Sequence, residues 1–250
     1  MRYFQSFYSL SSLPRFVLQQ EGIVLAAVFV VVVSLWGFVE LADEVLEGNT
    51  QAFDLQVLHQ LRRADDFTRP IGPSWLIEAG QEITALGGNT VLSLVVLAVV
   101  GYLLRQRAFE AMWLVLVATL GGTLLSFTLK SFFGRERPDV MLHLDTVHSP
   151  SFPSGHAMLS AVVYLTLGAL LAQVVPRRAD KMYFIIVAFV LTLLVGLSRV
   201  YLGVHYPTDV LAGWSVGLAW ALVCWVVARY LRRRGMVDAV QENAIDKRAF

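Results

Sequence analysis

Ser198-Arg-Val-Tyr-Leu-Gly-Val-His-Tyr-Pro-Thr-Asp209 places Arg199, His205 and Asp209 within eleven residues, at the junction of two strongly apolar segments. Charge is costly near lipid, roughly 2.5–3.5 kcal/mol for Arg, Lys or Asp at the centre of a membrane helix. Such residues persist at helix mouths because water, a partner or a ligand compensates them. The four-residue step from His205 to Asp209 lets a carboxylate reach an imidazole within one helical turn. An imidazole held that way is a stronger nucleophile or base than a free one. Taken alone, the stretch serves equally as a structural ion pair beside an incidental histidine.

The flanking apolar segments belong to a pattern that fills the chain. Of 250 residues 56% are hydrophobic and 16% charged, with a mean hydropathy of +0.62. Ordinary soluble domains carry about a quarter charged residues. The apolar residues form long blocks, so a polytopic membrane protein is expected, all-α, in one domain over 1–250. Expected spans are 22–41, 89–104, 108–128, 156–175, 182–197 and 210–230. Residues 1–21 read as a cytoplasmic lead-in and 235–250 as a disordered cytoplasmic tail. Between the first two spans, Phe53, Leu55, Val57, Leu58 and Leu61 recur at helical spacing, predicting an amphipathic surface helix. His59 on it reads as solvated. Gly121 and Gly122 read as helix-packing positions. The single cysteine, Cys224, lies in the last apolar block and reads as a packing residue.

Six spans put both termini on one side. The termini and the 105–107 and 177–181 turns carry 13 Lys and Arg, the opposite side 7. By the positive-inside rule the termini are cytoplasmic, and the polar clusters face the periplasm or extracellular space. The net charge of +1 argues neither for nor against nucleic acid, because the basic residues sit at membrane boundaries, and no nucleic-acid partner is expected.

Two more clusters lie on that outward side. Lys130-Ser-Phe-Phe-Gly-Arg-Glu-Arg137-Pro138 closes the third span. Taken alone, its cations read first as snorkelling to the headgroups. Phe152-Pro153-Ser154-Gly155-His156 opens the fourth span, with Ser154 as a good N-cap and Gly155 permitting close approach to a ligand. Free N–H groups at a helix start form a ready anion site. Lys130, Arg137 and Arg199 with two histidines and one carboxylate suit a phosphoryl group, whose transfer is catalysed by positioning and charge stabilisation. His143, Asp145 and His148 lack zinc-like spacing. Glu136 and Asp139 read as tuning the local field.

Lys130-x6-Arg137-Pro138, Pro153-Ser154-Gly155-His156 and Ser198-Arg199-x5-His205-x3-Asp209 together resemble the three-part signature of the type 2 phosphatidic acid phosphatase superfamily. The order and spacing match, over about 80 residues, and the apolar spans resemble its bacterial integral-membrane lipid phosphatases. The resemblance implies that His205 attacks phosphorus with Asp209 orienting it, giving a phosphohistidine. It implies that His156 protonates the leaving oxygen. Lys130, Arg137, Arg199 and the amides near Ser154 and Gly155 would hold the phosphoryl oxygens, without metal or other cofactor. The implied substrate is a lipid phosphate monoester or diphosphate: undecaprenyl diphosphate, phosphatidylglycerophosphate, phosphatidic acid or a lipid A phosphate. The implied setting is the bilayer of a bacterial cytoplasmic membrane. A lipid-to-lipid phosphotransferase is the alternative, and a non-catalytic phospholipid-binding or transport protein a more distant one.

Overall fold

A computed structural model describes residues 15–138 and 149–246, with side chains placed for 21–138 and 149–234. The expected lead-in before residue 15, and Asp139, His143, Asp145 and His148, lie outside the described residues. Eight helices run α1 (Arg15–Leu46), α2 (Gln51–Gln60), α3 (Ser74–Ala85), α4 (Asn89–Arg105), α5 (Phe109–Phe133), α6 (Gly155–Val174), α7 (Arg178–Tyr201) and α8 (Pro207–Asp246). No strand occurs among the described residues.

Five of these helices, α1, α5, α6, α7 and α8, are long and apolar enough to cross a bilayer alone. α3 and α4 meet the same test of length and composition only together, as a pair bent by 46° at their junction, which gives up to six crossings. The chain is therefore a multi-pass membrane protein. Its outward side chains say the same: Leu25, Phe29, Val32, Trp36 and Val39 of α1 are all exposed. A stripe that apolar is stable only against lipid.

The bundle is built around α6, which packs on α4, α5, α7 and α8 and buries Ala157 to Val163 without a break. Small residues set these contacts. A Cβ at Gly213 would lie 2.6 Å from the Ser154 carbonyl oxygen, and one at Gly217 2.5 Å from that of Met158, so α8 meets α6 backbone to backbone. Gly121 and Gly122 do on α5 what was expected, seating Trp220 and Val162. Trp220 in turn donates its indole N–H to the Ala118 carbonyl at 2.8 Å. Cys224 is buried with Leu114, Ala118 and Val162, the packing position its sequence context suggested.

Two features depart from expectation. The surface helix exists as α2, but its inner face docks on protein. Leu58 is fully buried with Ala157, Val200 and Val210, and Asp54 is fully buried beside it. Leucine gains more from that closed core than from the headgroup region, and Asp54 finds partners there. The backbone of α8 also continues to Asp246, where a disordered tail from 235 was expected. Its residues 236–246 contain no Pro or Gly and include Ala, Glu and Gln, which favour helix once α8 supplies a nucleus.

Candidate active site

Three helix ends converge at one face of the bundle. The first is the α7–α8 corner. At the end of α7 the Gly203 N–H donates to the Val200 carbonyl at 3.0 Å and the Val204 N–H to the Arg199 carbonyl at 3.1 Å. This is the Schellman reversal, with Gly203 at φ 75° in the left-handed position that glycine takes without strain. It puts Arg199 on the last turn of α7 and delivers His205 just beyond. α8 then begins with Pro207 at its first helical position, and the Asp209 carboxylate accepts the Tyr206 N–H at 2.9 Å. That reach is the acidic half of a capping box, at a terminus whose dipole favours an anion.

The second end is that of α5. Gly134, at φ 59°, turns the chain and returns its N–H to the Lys130 carbonyl at 3.1 Å. Lys130 stays on the last helical turn while Arg135 and Arg137 fold back over the site. The third end is the start of α6. Ser154 is its fully buried N-cap residue and donates its N–H to the Asp209 carbonyl oxygen at 2.9 Å. The preceding loop is pinned by Phe152, which packs between Phe38 of α1 and Phe133 of α5.

The structure brings all eight sequence-proposed residues to this face. His205 is 1% exposed. Its Nδ1 lies 3.3 Å from Asp209 Oδ2 and 3.3 Å from Ser151 Oγ. Its Nε2 lies 3.4 Å from Arg137 Nη1. A carboxylate on one nitrogen and a pure donor on the other select a single tautomer, with Nδ1–H donating to Asp209 and the Nε2 lone pair facing Arg137. Burial pushes the His205 pKa down to about 3 against the raising pull of Asp209, with Arg199 and Arg137 adding to the depression. The ring is neutral at physiological pH and its lone pair available.

Arg137 also donates to the Ser149 and Val204 carbonyls at 2.9 and 2.8 Å. Lys130 Nζ donates to the Pro150 carbonyl at 2.6 Å, and a Cβ on Gly155 would come within 3.3 Å of its side chain. Arg199, 3% exposed, donates to Thr84 Oγ1 of α3 at 3.0 Å. His156, on the first turn of α6, is half-buried under the α3–α4 bend. A Cβ on Gly88 would stand 3.8 Å from its Nε2. The charges of Arg199, Arg137 and Lys130 reach it.

Four residues here escaped sequence reading: Arg135, Asp54, Thr208 and Ser151. Arg135 Nη1 donates to Asp209 Oδ1 at 2.7 Å and to Thr208 Oγ1 at 2.9 Å, while Nη2 donates to Asp54 Oδ2 at 2.8 Å. Its guanidinium lies 4.2 Å over the Tyr206 ring. Burial works to lower its pKa, but Asp209 and Asp54 outweigh this and raise it, so it stays cationic. Asp54 also accepts the Thr208 N–H at 3.1 Å and the Thr208 hydroxyl at 2.6 Å. Ser151, fully buried, donates a short hydrogen bond to Asp209 Oδ2. The available signal was Asp54 at i, i+4 with Leu58, an acid on the apolar face of a helix.

Lys130, Arg135, Arg137 and Arg199 therefore gather with Asp54 and Asp209 at one face of the bundle, a concentration of cations suited to an anionic group.

Comparison with known proteins agrees with this geometry. Residues 110–233 match the PAP2 superfamily. A phosphatidylglycerophosphatase B of Bacillus subtilis is 42% identical over 151 residues, 58% of this chain and 71% of that protein. The chain belongs to the PAP2 superfamily. A lipid A 1-phosphatase of Rhizobium etli is 29% identical over 64% of this chain and 77% of its own. Among solved structures, a transmembrane PAP2-type phosphatidylglycerolphosphate phosphatase from Bacillus subtilis superposes with a TM-score of 0.72. It is 31% identical, over 80% of this chain and 96% of that one. The eight sequence-proposed residues all lie within the matched region, on or beside the ends of α5, α6, α7 and α8. Asp54, on α2, lies outside it.

Proposed function

We propose that this PAP2 protein is a membrane lipid phosphatase that works through a phosphohistidine on His205. The observation that carries the reading is the two-sided environment of that ring: Nδ1 toward Asp209, Nε2 toward Arg137. A phosphoryl group gripped by Arg137 would present phosphorus to the Nε2 lone pair. Arg199, Lys130 and the free N–H groups at the start of α6 complete the cradle for its oxygens. As the P–N bond forms, the P–O bond to the lipid breaks and the imidazole becomes cationic, with Asp209 stabilising it. His156 gives its proton to the departing oxygen, then takes one from the water that hydrolyses the phosphoenzyme. The cations do the work that a metal does elsewhere.

The substrate is the phosphate or diphosphate of a lipid. Similarity to a phosphatidylglycerophosphatase supports phosphatidylglycerophosphate as the first to test, followed by undecaprenyl diphosphate, lipid A 1-phosphate and phosphatidic acid. The site faces the periplasm or outside, on the distribution of basic residues. The test is phosphate release by purified protein from these four lipids, with and without EDTA. Release without an added acceptor, undiminished by EDTA, is the expected result. Phosphate that leaves the donor only when a second lipid is supplied, and is recovered on that lipid rather than in solution, would make the protein a phosphotransferase. Turnover lost to EDTA and restored by magnesium would overturn the metal-free cradle.

A further inference from the structure

Asp54 is the one fully buried carboxylate of the site that comes from the first half of the chain, and the lipid-phosphatase signature does not include it. It arrives on α2 and makes three hydrogen bonds, two to Thr208 and one to Arg135. Thr208 and Asp209 are neighbours in the first turn of α8, so Asp54 acts there as a cap supplied by a distant segment. The Thr208 hydroxyl closes a ring, donating to Asp54 and accepting from Arg135.

Arg135 sits between two carboxylates, with one amino group on each. Its bond to Asp209 occupies Oδ1 and leaves Oδ2 for His205, Ser151 and the Tyr206 N–H. Orientation is one effect of this arrangement. The other is electrostatic. A guanidinium held by Asp209 alone would draw the full negative charge of that carboxylate, and would weaken what it offers the imidazole. Asp54 shares the guanidinium, so Asp209 retains charge to stabilise the ring as it becomes cationic. We propose that Asp54 is a positioning residue for phosphoryl transfer, acting through Arg135 on Asp209 and thereby on His205.

The proposal rests on the phosphohistidine reading, and its test separates the two. Asp54→Asn keeps the side-chain shape and removes the charge. It is expected to slow formation of radiolabelled phosphoenzyme, and kcat on a lipid phosphate, about tenfold, the order expected for one lost charge-assisted hydrogen bond. KM should stay within about twofold, since Asp54 does not face the phosphoryl cradle. The decisive measurement is a double-mutant cycle with Arg135→Gln. Once the guanidinium is gone, Asp54→Asn has nothing to act through and should add less than about twofold in kcat. Arg135→Lys supplies an independent check if Asp54→Asn does not fold. An ammonium cannot bridge both carboxylates as the fork does, so kcat should fall with melting temperature nearly kept. Additive losses in the cycle, or full turnover in either Asp54→Asn or Arg135→Lys, would overturn the proposal. A wild-type protein that forms no phosphoenzyme would overturn the phosphohistidine reading and this proposal together.

Discussion

The two histidines of the site sit at neighbouring helix ends in opposite surroundings. His205 is almost completely buried, with a carboxylate and a serine on Nδ1 and an arginine at Nε2. His156 is half-buried on the first turn of α6, beneath the α3–α4 bend, with the charges of three cations upon it. A ring fixed by a carboxylate is built to bear positive charge as it forms a bond. A ring on the first turn of a helix, beside the cations that would hold the phosphate, is placed to hand a proton to the departing oxygen. On the proposed mechanism this difference suits the first to attack and the second to donate a proton, from one side-chain type.

The largest expected effect breaks the pair apart. His205→Ala should abolish the phosphoenzyme and lower turnover on the order of 10⁴-fold or more. His156→Ala should lower turnover of a lipid phosphate by about 10²–10⁴-fold, and far less on p-nitrophenyl phosphate, whose leaving group needs no proton. Trapped phosphoenzyme on His205→Ala would reverse the assignment, as would rescue of that variant, rather than His156→Ala, by the activated substrate.

Arg137 and Arg199 touch the comparison from the phosphate side. Replacing either with Lys keeps charge but loses the fork, and should cost about 2–4 kcal/mol of transition-state stabilisation. Unchanged kcat/KM in both variants would remove them from the cradle.

A third, smaller effect sharpens the contrast in burial. The folded pKa of His205, about 3, lies below the unfolded value near 6.5. A depressed pKa contributes stability in full above pH 6.5, and loses it as pH falls from there toward 3. At pH 5 the loss is about 2 kcal/mol, at 1.36 kcal/mol per pH unit. Melting in detergent at pH 7 and 5 should therefore destabilise the wild type more than His205→Asn. Equal losses would mean that the ring protonates at its ordinary pH.

The smallest effect concerns the corner that presents His205. Gly203→Ala forces a Cβ into φ 75° and should cost about 1 kcal/mol of stability, read as a lowered Tm. The same change at Gly101, helical on α4 with open space around it, should be neutral or slightly stabilising.

The fold was legible because lipid imposes long apolar blocks, and five of six expected spans appear as separate helices of the required length. The sixth, expected over 89–104, corresponds to α4, which meets the same test only in company with α3 across the 46° bend. At the site, legibility followed sequence proximity. His205 and Asp209 lie one helical turn apart, and Gly203 marks the reversal that brings Arg199 beside them. Asp54 and Arg135 are 81 residues apart, and their pairing exists only once α2 docks on the start of α8. Thr208 and Ser151 are small polar residues whose meaning comes from the carboxylates they touch. Periodicity reports which face of α2 is apolar, but not whether lipid or protein covers it.

The docking of α2 bears on how this protein can be divided. A fragment cut to residues 110–233 would carry Lys130, Arg137, Ser154, Gly155, His156, Arg199, His205 and Asp209 intact. It would also leave Arg135 with half its counter-charge and the Thr208 N–H and hydroxyl bereft of their acceptor. The portable unit of this chemistry is thus larger than its signature. Grafting the motif residues onto another helical bundle, or pairing the C-terminal half with a foreign N-terminal one, would have to bring an acid to the mouth of α8 as well.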